Sequence, residues 1–315
     1  MPDKEQNPMP RIALVSAARS GTTHLIRLAE TLKDLHVVKN EWLEGIGVAW
    51  AQEHELAAFR RINDIDYKDH TDQRLRTWVR ANKERTLQIL ESLAAPADRA
   101  VFYKSFPSHV APPDFDRLFY DRPDTCFVFL TRRPIDSFIS LIKAKNIDQW
   151  VSADTTAMKA QLDADHYLEW WSYTSDWFTG LKARLNADGK PYGSLTYESD
   201  LMPGIEHLLE RLVAELNVAG FETRVNRKHL VRSRVKRFVT QMWGGELNGN
   251  MGAVKQDKGQ DAAAKVSNWS AFTSQIETLT GSLECLEKFM PQEKKVFWDS
   301  QSLPPDLRLR VVTDA

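Results

Sequence analysis

The chain has 315 residues, with 42 Lys and Arg against 43 Asp and Glu and a formal charge of −1. That balance excludes a whole-protein field drawing the chain to nucleic acid or anionic lipid, so any anion site must be local. With 42% hydrophobic residues and no run near the ~20 apolar residues of a membrane span, the composition is that of a globular protein able to bury a full core.

Residues 1–10 are polar and carry prolines, so they read as a flexible N-terminal segment without signal-peptide character. Cys126 and Cys285 are the two cysteines, too few for a disulfide framework, and a reducing, cytoplasmic setting is expected. Short apolar, β-branched runs then alternate with helical patterns, the signature of parallel strands joined by crossover helices. Strands are expected at 12–16, 36–39, 100–104, 126–131 and 192–197. A helix is expected over 72–93, where Leu75, Trp78, Val79, Thr86, Ile89, Leu90 and Leu93 share a face. Another is expected over 163–185, whose stripe Tyr167, Trp170, Trp171, Trp177 and Phe178 suits core packing at helical spacing. The glycine-rich stretch 242–267 lacks periodicity and reads as a mobile lid. The expected fold is α/β, a central parallel sheet flanked by helices, in a single domain spanning 11–315.

Strand 12–16 runs into Ala17-Ala18-Arg19-Ser20-Gly21-Thr22-Thr23 and then a helical pattern beginning at His24. A strand-loop-helix order aims backbone N–H groups and the positive end of the helix dipole at an anion. Gly21 lets the backbone approach closely, Thr22 and Thr23 supply hydroxyls, and Arg19 adds a forked cation. A plain helix N-cap with an incidental arginine is the alternative. The phosphate loop of ATP and GTP enzymes would need an earlier glycine where Ser16 stands and a lysine where Thr22 stands.

A second constellation follows strand 126–131: Arg132-Arg133-Pro134-Ile135-Asp136-Ser137-Phe138-Ile139-Ser140. Pro134 suits a first helical turn, and Arg132 with Ser140 could converge on one anion. A surface arginine pair beside a helix cap is the competing reading. Two such grips at strand ends of one sheet fit a crevice at a topological switch point.

Together these residues resemble the sulfotransferase family that uses 3′-phosphoadenosine-5′-phosphosulfate (PAPS). Arg19-Ser20-Gly21-Thr22-Thr23-His24 is similar to its 5′-phosphosulfate loop, and Arg132 with Ser140 to its 3′-phosphate motif. Residues 195–201, Leu-Thr-Tyr-Glu-Ser-Asp-Leu, resemble its Tyr-Glu-Asp-Leu strand end. Residues 268–273, Asn-Trp-Ser-Ala-Phe-Thr, resemble the Asp-Trp-Lys-x-x-Phe-Thr stretch after its lid. The four matches fall in family order between Ser16 and Thr273.

The resemblance implies a three-layer architecture like that of the P-loop NTPases, PAPS as co-substrate with 3′-phosphoadenosine-5′-phosphate (PAP) as product, and no metal. It implies sulfonate transfer to a small-molecule or carbohydrate hydroxyl, carbohydrate being favoured because arginine rather than lysine opens the loop. Arg19 and Lys104 would face the sulfonate and bridging oxygens. Trp269 or Phe238 would stack on the adenine with Tyr197 nearer the ring edge, and Lys258 and Gly259 stand where a lid Arg-Lys-Gly is expected. Phe106 replaces the histidine that serves as base in cytosolic members. Glu41, at the end of strand 36–39, is therefore the expected general base, with His109 and His24 as runners-up. A Mg·ATP-dependent small-molecule kinase and a catalytically silent nucleotide-binding module are the rival readings. The sequence sets no oligomeric state.

Overall fold

The computed structural model describes residues 10–38, 42–44, 53–62, 67, 69, 72–95, 99–107, 110, 112–148, 155–225 and 261–290. Glu41, His109, Phe238, Lys258 and Gly259 lie outside these residues, as does the part of the expected lid before residue 261.

Five strands, β1 (Arg11–Ser16), β2 (Leu35–Val37), β3 (Ala100–Ser105), β4 (Thr125–Thr131) and β5 (Tyr192–Thr196), pair in parallel in the order β2-β3-β1-β4-β5. Every residue of β1 and β3 is buried, as parallel strands covered on both faces require. The helices are α1 (Thr22–Ala29), α2 (Glu53–Ile62), α3 (Gln73–Ala81), α4 (Lys83–Ala94), α5 (Pro112–Phe115), α6 (Pro134–Ile147), α7 (Ala164–Ala187), α8 (Ile205–Val218) and α9 (Trp269–Thr280), followed by a short turn at Glu284–Glu287. None among the described residues is long and apolar enough to cross a membrane.

Side chains alternate across the sheet with period two, which divides the core into two layers. Ile12, Leu14, Phe102, Val128 and Leu130 face α1 and α8 through Leu25, Leu28, Leu208 and Leu212. Ala13, Val15, Tyr103, Phe127 and Phe129 face α4, α6 and α7 through Leu87, Leu90, Phe138, Tyr167 and Phe178. The arrangement is the expected α/β sheet between helical layers. The α7 aromatic stripe belongs to the second layer, with Phe138 5.2 Å from Tyr167 and 5.3 Å from Trp170. Gly193 allows α8 onto β5, because an added Cβ there would strike the Glu215 carbonyl.

The helix expected over 72–93 is two helices. Asn82 ends α3 with φ −125° and ψ 50°, and its Nδ2 donates to the Trp78 carbonyl at 2.9 Å. An asparagine side chain that competes for helix carbonyls breaks the run, while the apolar face continues through α4 and so concealed the break. Strand ends also shift: β3 extends to Ser105, and β5 stops at Thr196 because Tyr197–Leu201 forms a π-helical turn.

Candidate active site

The chain leaves β1 through α1 toward β2 at one edge and leaves β4 through α6 and α7 toward β5 at the other. The loops after β1 and β4 therefore diverge, and a crevice opens between them at the carboxyl ends of the strands. Both arginine-bearing segments sit there. Ser16 Oγ donates to the Leu130 carbonyl at 2.8 Å, tying the two strand ends together.

The loop after β1 is turned by two left-handed residues, Arg19 at φ 68° and Gly21 at φ 88°. A non-glycine residue there is uncommon and costs about 1–3 kcal/mol, a strain characteristic of ligand sites. Gly21 is needed for space as well, since a Cβ on it would lie 2.7 Å from both Leu201 and the Tyr197 ring. α1 starts directly after it with no side-chain cap and no acidic residue in its first turn. The positive end of its dipole is therefore not offset by a cap or by a carboxylate of its own first turn. Thr22 is buried, and Thr23 and His24 are half-buried; the His24 N–H donates to the Gly21 carbonyl at 3.0 Å.

The two loops meet through side chains. Arg19 Nε donates to Ser140 Oγ at 3.1 Å. One terminal nitrogen of Arg132 donates to the Arg19 carbonyl at 2.8 Å, and the Arg132 guanidinium carbon lies 4.4 Å from the centroid of the Tyr197 ring. The π-helical turn aims Tyr197 here, and Asp200 closes that turn by accepting from the Thr196 N–H at 2.7 Å and from Arg211 Nε at 2.9 Å. Arg19, Gly21, Arg132, Ser140 and Tyr197 thus form one contact cluster.

Among the described residues, Arg132 Nε, Ser20 Oγ and Ser137 Oγ are buried without a hydrogen-bond partner. Buried polar atoms are ordinarily satisfied, so Arg132 Nε and Ser20 Oγ, near the uncapped start of α1, are donors that an anion could take.

Lys104 alternates with Phe102 and so lies on the α1 face of β3, near its carboxyl end and opposite Leu14. It is almost buried, with Nζ 5.2 Å from the centroid of the Phe106 ring. The following residue, Pro107, accepts at its carbonyl from the Tyr173 hydroxyl at 3.0 Å. Burial pushes the Tyr173 pKa up to about 12.

Trp269 stands on the other layer, its ring 6.0 Å from Phe272 and packed on the α7 core. The preceding Asn268 imitates a strand backbone: its Nδ2 donates to the Leu162 carbonyl at 2.8 Å and its Oδ1 accepts from the Leu162 N–H at 3.0 Å. Beside it Ala160 and Val266 form a parallel bridge. Residues 261–267, the end of the expected lid, are thereby fastened to the segment before α7. Among the described residues no cluster of three or more His, Cys, Asp or Glu is placed to hold a metal ion.

No family model matches the chain, and no curated protein matches it in sequence. Among solved structures it is similar to a sulfotransferase domain from the Synechococcus PCC 7002 olefin synthase, at 16% identity over 90% of this chain and 98% of that one, with a TM-score of 0.44. It is also similar to a sulfotransferase domain from the curacin biosynthetic pathway, at 14% identity over 90% and 94% of the two chains (TM-score 0.38). A third likeness is a sulfotransferase from Alicyclobacillus acidocaldarius, at 13% identity over 89% and 99% (TM-score 0.38). At these scores the likenesses carry no residue assignment, and the architecture rests on the sheet order above.

Proposed function

We propose that the protein transfers a sulfonate group from PAPS to a hydroxyl acceptor, most naturally a carbohydrate. The observation that carries this reading is the junction of Arg19, Arg132 and Ser140 at the switch-point crevice. A donor with phosphate groups at 3′ and 5′ of one ribose needs two anion grips side by side, and the two loops supply them.

When bound, the donor brings an activated sulfur whose bond to a phosphate oxygen breaks as the acceptor oxygen attacks. The chain's own residues would do the rest. Ser20, Thr22, Thr23 and the free amides at the start of α1 cradle the 5′ end, with His24 bracing the helix start. Arg19 and Lys104 would offset charge that grows on the departing phosphate. Arg132 and Ser140 take the 3′-phosphate, while Tyr197, already stacked on Arg132, borders the adenine with Trp269 as the second aromatic candidate. Glu41 removes the acceptor proton, with His109 and His24 as alternatives. Lys258 and Gly259 would cover the donor from the lid.

A thermal-shift comparison separates this reading from a kinase. PAP without metal is expected to raise the melting temperature, and Mg·ATP to raise it much less. A larger shift with Mg·ATP would reject the donor assignment. PAP binding without sulfonate transfer from PAPS across a panel of sugar, phenol and lipid hydroxyls would point to the silent module.

A further inference from the structure

Asp136 lies in the first turn of α6, four residues beyond Arg132, and is 8% exposed. Its two carboxylate oxygens have separate partners: Oδ2 accepts from Arg133 Nε at 2.6 Å, and Oδ1 from Lys265 Nζ at 3.1 Å. Lys265, 7% exposed, comes from the segment fastened to Ala160, and 129 residues separate it from Asp136. Arg133 is further held by Glu287 at 3.6 Å, and its N–H donates to Glu198 Oε1 at 3.0 Å. Burial would raise the Asp136 pKa, but Arg133, Arg132 and Lys265 together lower it, so the group is a carboxylate.

Arg132 is thus one of the three cations that act on this carboxylate, yet its hydrogen bond goes to the Arg19 carbonyl and its Nε has no partner. Arg133 alone satisfies one oxygen of Asp136. Without Lys265, the other oxygen would be a buried acceptor short of a partner, and such a group is drawn toward a remaining cation. Arg132, whose charge already acts on Asp136, is one such cation. We infer that Lys265 is a positioning residue of the anion site: by occupying Oδ1 of Asp136 it keeps that carboxylate off Arg132 and reserves the Arg132 guanidinium for a ligand phosphate. The identity of that phosphate rests on the donor reading above; the competition between Lys265 and Arg132 for Asp136 does not.

A simple buried strut makes a different prediction from a charge reservation. Lys265→Met should weaken PAP about tenfold with kcat little changed once PAPS saturates, and Lys265→Arg should restore most of the affinity. The double variant Lys265→Met/Asp136→Asn removes the competing carboxylate, and a buried ion pair replaced as a whole is commonly tolerated. Its PAP affinity should return to within about twofold of wild type, whereas a strut lost would leave it as weak as Lys265→Met. A crystal structure of Lys265→Met gives a readout that needs no donor: Asp136 is expected within hydrogen-bond distance of Arg132. Asp136 remaining on Arg133 alone, with Arg132 still on Arg19, would overturn the inference even if PAP proved not to be the ligand. Wild-type protein that fails to bind PAP while Lys265→Met shows the Asp136–Arg132 contact would reject the donor reading and leave the inference standing.

Discussion

The Arg19 guanidinium donates to the Ser140 hydroxyl at 3.1 Å, joining the loop after β1 to helix α6 across 121 positions of chain. The two residues belong to the grips that the family resemblance assigns to opposite phosphates of one nucleotide. Their contact fits a ligand whose phosphates share a ribose. Ser140→Ala is expected to weaken PAP by about tenfold to a hundredfold, the value of a hydrogen bond to a charged group. Calorimetry showing wild-type affinity in that variant would remove Ser140 from the site.

Gly21 answers two demands at once, a left-handed backbone and contact with Tyr197 and Leu201. Gly21→Ala should therefore lower the melting temperature and weaken PAP together, because the added methyl displaces the ring that stacks on Arg132. Thermal melts and PAP titrations of one preparation check this. A stable variant with full affinity would show that the loop tolerates a Cβ.

The opposite end of β1 supplies a control. Arg11 is fully buried, bonded to the Glu91 carboxylate and, at 2.5 Å, to the Leu118 carbonyl. Arg11→Met strands Glu91 and should cost about 3–5 kcal/mol, or about 5–8 °C in melting temperature for a chain of this size. PAP affinity per folded molecule should be unchanged, since the site lies at the other end of the sheet. An unaltered melting temperature would show that the buried pair contributes little.

Glu41 is the general base proposed from sequence. Glu41→Gln should leave PAP affinity near wild type and lower kcat by roughly two orders of magnitude or more. Full turnover in that variant would move the role to His109 or His24, whose own substitutions would then be measured.

The strands were legible because parallel strands buried on both faces write themselves as apolar runs, as in Ile12 to Val15 and Phe127 to Leu130. The loop at Arg19 and Gly21 was legible because its residue types answer a steric and electrostatic demand made locally. Asn82 was not, since a helix break that preserves the apolar face leaves the periodicity intact. The partnership of Lys265 with Asp136 was also hidden, because nothing in a 129-residue separation marks two charges as neighbours. The Arg133–Asp136 pair, three positions apart on α6, was within reach of spacing alone. Tyr197 could be named as a candidate, but its placement on Gly21 and Arg132 depends on a π-helical turn that no local pattern announced.

The most direct measurement is titration calorimetry of PAP and of 5′-AMP, which differ only in the 3′-phosphate, against wild type and Arg132→Ala. PAP is expected to bind wild type at least about tenfold tighter than 5′-AMP, and Arg132→Ala should erase most of that difference. Equal affinities for the two nucleotides, or a PAP affinity indifferent to Arg132→Ala, would contradict a site built around a 3′-phosphate.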